Sequence, residues 1–101
     1  MFGRSRYSRV IDTQLDLFIR EHRSVIDEAG ARLEVYNRGD RADAEELYGD
    51  YLDAVETGTE MLADMRDHFS ASLHDPEDYV SAFNRAVAKR LPEFGLEIEN
   101  R

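Results

Sequence analysis

The sequence predicts an all-α protein: a long antiparallel helical hairpin over residues 7–37 and 41–73, followed by a shorter third helix over 76–91. Three observations predict it. Apolar residues recur at steps of three and four along both long stretches, which places them on one face of each helix. Folding the chain back at Asp40 sets those faces opposite each other, with Ile11 meeting Phe69, Leu15 meeting Met65, Phe18 meeting Leu62, Val25 meeting Val55 and Leu33 meeting Leu47. Between these pairs, large residues face small ones: His22 opposite Gly58, Ala29 opposite Tyr51, Tyr36 opposite Ala44. Such alternation lets two close-packed helices interlock without voids.

The first helix carries Tyr7, Ile11, Leu15, Phe18, His22, Val25, Ile26, Ala29, Leu33 and Tyr36 inward. Gly30 is its weak point, costing about 1 kcal/mol relative to alanine. The facing pattern continues past it, so the helix is expected to be continuous. Asn37-Arg38-Gly39-Asp40 is the turn, with Gly39 expected in the left-handed conformation that closes a helix and Asp40 as the next cap. The adhesion tripeptide spelled by Arg38-Gly39-Asp40 is accounted for by this turn chemistry.

The second helix keeps alternating four- and three-residue steps from Ala44 through Tyr48, Tyr51, Val55, Gly58, Leu62, Met65 and Phe69, the seam of a coiled coil. Asp75-Pro76-Glu77-Asp78 then restarts a helix: a cap, a proline at the first position, acids in the first turn. Pro92 ends that third helix, and in the C-terminal tail, residues 92–101, Phe94-Gly95-Leu96 is expected to fold back, short and loosely held. Residues 1–6 form a basic N-terminal arm. All 101 residues belong to one domain.

Composition narrows the function. Hydrophobic content of 42%, with five Phe and five Tyr, is too high for a disordered chain. The absence of cysteine excludes disulfides, thiol nucleophiles and cysteine-ligated zinc or iron–sulfur sites. No apolar run approaches the roughly 20 residues of a membrane span, and residues 1–9 lack an apolar signal core; a cytoplasmic protein is expected. A net charge of −9 opposes sequence-independent binding to nucleic acid. Twelve arginines against the single Lys89 fit a high-GC genome, and the 22 acidic residues also fit salt adaptation.

Helical hairpins with inward carboxylates and histidines build di-iron sites, so metal chemistry is weighed first. The shape resembles hairpin-type ferritins, which implies iron storage or oxidation through a Glu on one helix and Glu-x-x-His on its partner. That motif is missing here; Glu21-His22 and the Asp64–His68 pair come nearest. No metal or cofactor is therefore expected. Glycines are scattered rather than gathered into a phosphate loop, and no Ser–His–Asp grouping can be assembled, so no catalytic residue is assigned. His22 is read as a core histidine filling the space left by Gly58, hydrogen-bonded to a flanking threonine or Gln14. A pH-sensitive contact is the functional alternative.

Two surfaces remain. The third helix reaches only half the hairpin, so Leu33, Val35, Tyr36, Leu47, Tyr48, Tyr51 and Leu52 are left with two helices to bury them. Apolar exposure on that scale marks an interaction site, and a two-fold dimer completing four helices is the expected solution. On the second helix, Glu46, Asp50, Asp53, Glu60, Asp64 and Asp67 form an acidic stripe, either a solvated face or a dock for a basic segment such as Arg4, Arg6 and Arg9. The expected function is an acidic protein-interaction module: an adaptor, an assembly subunit or an accessory subunit. The alternatives are the ferritin-like metalloprotein and an acidic antagonist of a basic or nucleic-acid-binding partner.

Overall fold

The structure, a computed structural model, describes residues 6–101. It is all-helical, with α1 over Ser8–Glu21, α2 over Arg23–Arg38, α3 over Ala44–Ser70, α4 over Pro76–Arg90 and α5 over Pro92–Glu99. A single 3-10 turn, Arg41–Asp43, leads into α3. The molecule is elongated, 50 × 26 × 20 Å. Its core gathers Ile11, Leu15 and Phe18 from α1, Leu62 from α3, Tyr79, Phe83 and Val87 from α4, and Phe94 and Ile98 from α5.

Three features differ from the sequence expectation. The first helix is not continuous from 7 to 37. It breaks at His22, whose backbone leaves the helical region at φ −124°, ψ 36° while its N–H still donates to the Phe18 carbonyl at 2.8 Å. Gly30 is not the weak point; it lies inside α2 with open space where a Cβ would stand. The break lets the two halves choose different partners, α1 packing chiefly against α4 and α2 against α3.

The C-terminal segment is not a loose tail. Residues 92–99 form α5, which lies on both α3 and α4, with Phe94 and Ile98 fully buried. Pro92 does end the preceding helix, yet it also stands in the first turn of the next one, where a missing N–H costs nothing. Gly58 accordingly faces Phe94 rather than His22. A Cβ built on Gly58 would fall within 3 Å of two ring carbons, so glycine is what lets the ring reach the α3 backbone.

The turn also closes differently. Gly39 is extended, at φ −77°, ψ 163°, not left-handed. Its lack of a side chain makes room for Leu47, whose Cδ1 occupies the place of a Cβ. Asp40 and Asp75 stand at N-cap positions without side-chain capping bonds. Pro76 at the start of α4 and the acids Glu77 and Asp78 in its first turn still favour initiation there.

Candidate functional site

The predicted interface residues come together where α2 and the start of α3 pair as a two-helix arm. Leu33, Tyr36, Leu47 and Tyr51 are half-buried between them, whereas Val35, Tyr48 and Leu52 are 49%, 45% and 40% exposed. The aromatic rings form a chain: Tyr36 to Tyr48 at 5.2 Å between centroids, Tyr48 to Tyr51 at 6.1 Å, both tilted. Burial pushes the Tyr51 phenol above the ordinary tyrosine pKa, with the Glu93 carboxylate adding to the shift. Tyr51 thus sits near the start of α5, at the root of the arm, and Tyr48 lies one turn further out. Along the outer face of the arm, Arg32 holds Glu28 at 2.6 Å and Arg38 holds Glu34 at 3.6 Å, both one helical turn away.

The acidic residues of α3 are exposed at Glu46, Asp53, Glu60, Asp64 and Asp67 and half-buried at Asp50. Two of them already have cations. Arg101 reaches Glu60 at 3.9 Å and neighbouring Glu56 at 3.2 Å, and Arg66 donates from Nε to Asp67 Oδ1 at 2.8 Å. The C-terminal arginine therefore occupies part of the stripe. Of the basic arm, Arg4 lies outside the described residues. Arg6 lies 4.0 Å from Asp75 and over the Tyr7 ring, and Arg9 is exposed on α1.

His22 is half-buried at the α1–α2 break, its ring 5.2 Å from that of Phe18. It does not fill the space beside Gly58, and the partners expected for it are engaged elsewhere. Thr59 donates to the Val55 carbonyl and Thr57 to the Asp53 carbonyl. Gln14 accepts a 2.8 Å bond from the Tyr79 hydroxyl. The reading of His22 as filling the space beside Gly58 is overturned by this placement.

Among the described residues, no group of three or more His, Asp or Glu lies close enough together to hold a metal ion. No described helix is long and apolar enough to cross a membrane.

The buried polar site that sequence reasoning missed belongs to Arg66. Only 3% exposed, its Nη1 donates to Asn84 Oδ1 at 3.0 Å and to the Ile98 carbonyl at 3.1 Å, joining α3, α4 and α5. Its position four residues after Leu62 was the available signal, since that spacing puts it beside the seam. Tyr79 is a further buried group with a polar tip, among the rings of Tyr7, Phe69 and Phe83. Burial pushes its phenol up to about 12.

Comparison with protein-family models, with curated proteins and with solved structures finds no match to the chain.

Proposed function

We propose that the chain is a small acidic interaction module, an adaptor, assembly or accessory subunit, that works through the two-helix arm. The observation that carries this reading is the exposure of Val35 on α2 and of Tyr48 and Leu52 on α3, each two-fifths exposed or more, on an arm that also carries a chain of three tyrosines. Such side chains gain stability only when covered, at about 25 cal/mol per Å² of apolar surface removed from water. Tyrosine suits a surface that is alternately wet and covered, because it presents a broad apolar ring and a polar tip.

The first occupant to consider is a second copy. Two arms related by a two-fold axis supply four helices, each apolar face meeting its own counterpart. Sedimentation velocity at micromolar concentration is expected to show a dimer or larger species. Tyr48→Glu with Leu52→Glu is expected to yield monomers while helical circular dichroism stays intact, because surface substitutions usually change fold stability by about 0.5 kcal/mol or less. A wild-type chain that sediments as a monomer would remove self-association and leave the arm to a different protein.

A second reading, an acidic antagonist that docks a basic partner, draws on Glu46, Asp53 and Asp64. Among the described residues none of these three is within ion-pair distance of a cation. Association through them is expected to weaken with salt, since exposed charges are screened beyond about 8 Å at physiological ionic strength. A salt-insensitive complex would assign the contact to the tyrosines.

A further inference from the structure

Charge is segregated along this acidic chain. Residues 1–11 and 79–92 contain six of its 13 basic residues and no Asp or Glu; the other seven share the rest of the sequence with all 22 acids. Of the first segment, residues 6–11 are described; they lead into α1, which packs on α4. Between them lies a cleft of about 750 Å³, within the range of small-molecule sites. Ile11, Ala82 and Ala86 give it an apolar floor, the first two buried and Ala86 half-buried.

Arg85, Lys89 and Arg90 of α4 line the cleft, with Asp12 of α1 and Glu99 of α5 on its other walls. Arg90 is committed: it donates from Nη2 to Asp16 Oδ1 at 2.6 Å and from Nη1 to the Asp12 carbonyl at 3.4 Å. Arg85 and Lys89 are not. They stand one turn apart on α4, and among the described residues neither is within ion-pair distance of a carboxylate. Arg85 also lines an adjoining cavity of about 550 Å³ with Arg6, Asp78 and Ser81. Like charges at this spacing repel each other, so an anion placed between them gains two charge-assisted hydrogen bonds and relieves the repulsion.

We propose that this cleft binds a small amphiphilic anion, a single carboxylate or phosphate monoester headgroup on a short apolar body. The headgroup lies between Arg85 and Lys89, and the body lies on Ile11, Ala82 and Ala86. Glu99, on the α5 wall, repels a second anionic group, which selects against dicarboxylates. Long polyanions are disfavoured by the acidic remainder of the surface, whereas a small ligand senses only charges within about a Debye length.

The test is a titration of isotope-labelled protein with decanoate below its micellar concentration, followed by amide NMR. Saturable shifts at Ile11, Ala82 and Ala86 are expected. Arg85→Gln with Lys89→Gln is expected to weaken affinity about tenfold or more. Both residues are exposed, so unchanged circular dichroism and melting temperature will show that the variant is folded. Decyltrimethylammonium, with the same chain and the opposite charge, is expected not to compete, and sebacate to bind more weakly than decanoate. Decyl phosphate measured alongside separates the two headgroups by which binds more tightly. Equal affinity in the double variant, competition by the cation, shifts confined to Tyr48–Leu52, or no saturable binding by either anion would each overturn the proposal. None of these outcomes depends on whether the arm self-associates, because the Tyr48→Glu, Leu52→Glu chain serves equally well in the titration.

Discussion

At Gly58, α3 meets a buried aromatic ring from the last helix, in a core that also draws on α1 and α4. At Tyr48, ten residues earlier, the same helix has α2 beside it and a ring 45% exposed. Both positions fall on one seam with one spacing, and nothing in the apolar pattern distinguishes them. A periodic seam reports which face of a helix is inward. What covers that face depends on elements elsewhere in the chain, here a helix of eight residues beginning at Pro92. Where cover arrives, α3 becomes core; where it does not, α3 offers a surface.

The sharpest way to break this comparison is to remove the cover. Phe94→Ala is expected to destabilise the protein by about 3–5 kcal/mol, the usual cost of truncating a buried phenylalanine, read by chemical denaturation. Gly58→Ala in the native background brings a Cβ against the ring, so it is also expected to cost stability despite the better helix propensity of alanine. In the Phe94→Ala background the same change should turn stabilising by about 1 kcal/mol, the propensity gain. Additive effects of the two substitutions would mean that Phe94 and Gly58 do not touch.

Arg66 sharpens the comparison, because it ties α5 to the covered end without adding apolar area. Arg66→Leu leaves Asn84 Oδ1 and the Ile98 carbonyl without the donor they share. About 1.5–3 kcal/mol is expected to be lost, the usual worth of hydrogen bonds from a charged donor. Hydrogen exchange should show the loss concentrated in α5, with the α2 amides unchanged. Uniform loss across the chain would mean that covered end and arm unfold as one unit.

How much of this was legible in the sequence follows the same division. The inward face of the first helix, Ile11, Leu15 and Phe18, is buried as the spacing predicted, and Pro76 starts a helix where its local chemistry requires one. The α5 segment was harder to read. Eight residues give barely two turns, too few for a periodic pattern, and three glutamates among them point to solvent. Leu91, Phe94 and Ile98 do stand three and four residues apart, which was the signal available. The break at His22 has no glycine or proline to announce it; it follows from packing α1 on α4, a tertiary demand that overrides local propensity. Nothing in the sequence pattern singled out Arg85 and Lys89 until the fold set them on a cleft between α1 and α4.

Tyr79 distinguishes the two ends by pH. Below about pH 10, the ordinary tyrosine value, its phenol is neutral in folded and unfolded chains, and its contribution to stability is complete. Above that, the unfolded chain ionises first, so stability is expected to fall as pH rises, until the folded phenol also ionises at about 12. Tyr79→Phe is expected to cost about 0.5–1.5 kcal/mol at neutral pH through the lost bond to Gln14, and to flatten the alkaline decline. Some slope should persist, because burial raises the Tyr51 phenol as well. An alkaline profile identical to the wild type would place Tyr79 in contact with solvent.

The smallest expected effect belongs to Arg101, which closes the covered end by reaching back from the last residue to Glu56 and Glu60. Both carboxylates are mostly exposed, at 60% and 64% of their side-chain surface, so the pair gains little Coulomb energy and pays for ordering long side chains. Arg101→Gln is expected to change stability by about 0–1 kcal/mol at low salt and by nothing measurable at high salt, where the charges are screened. Its second effect bears on the acidic stripe, since it frees Glu56 and Glu60 for a foreign cation. If the stripe docks a basic partner, Arg101→Gln should tighten that association at low salt while leaving self-association through Tyr48 and Leu52 untouched. A salt-independent loss of several kcal/mol would instead show that the C-terminal residue belongs to the core, held by packing rather than by charge.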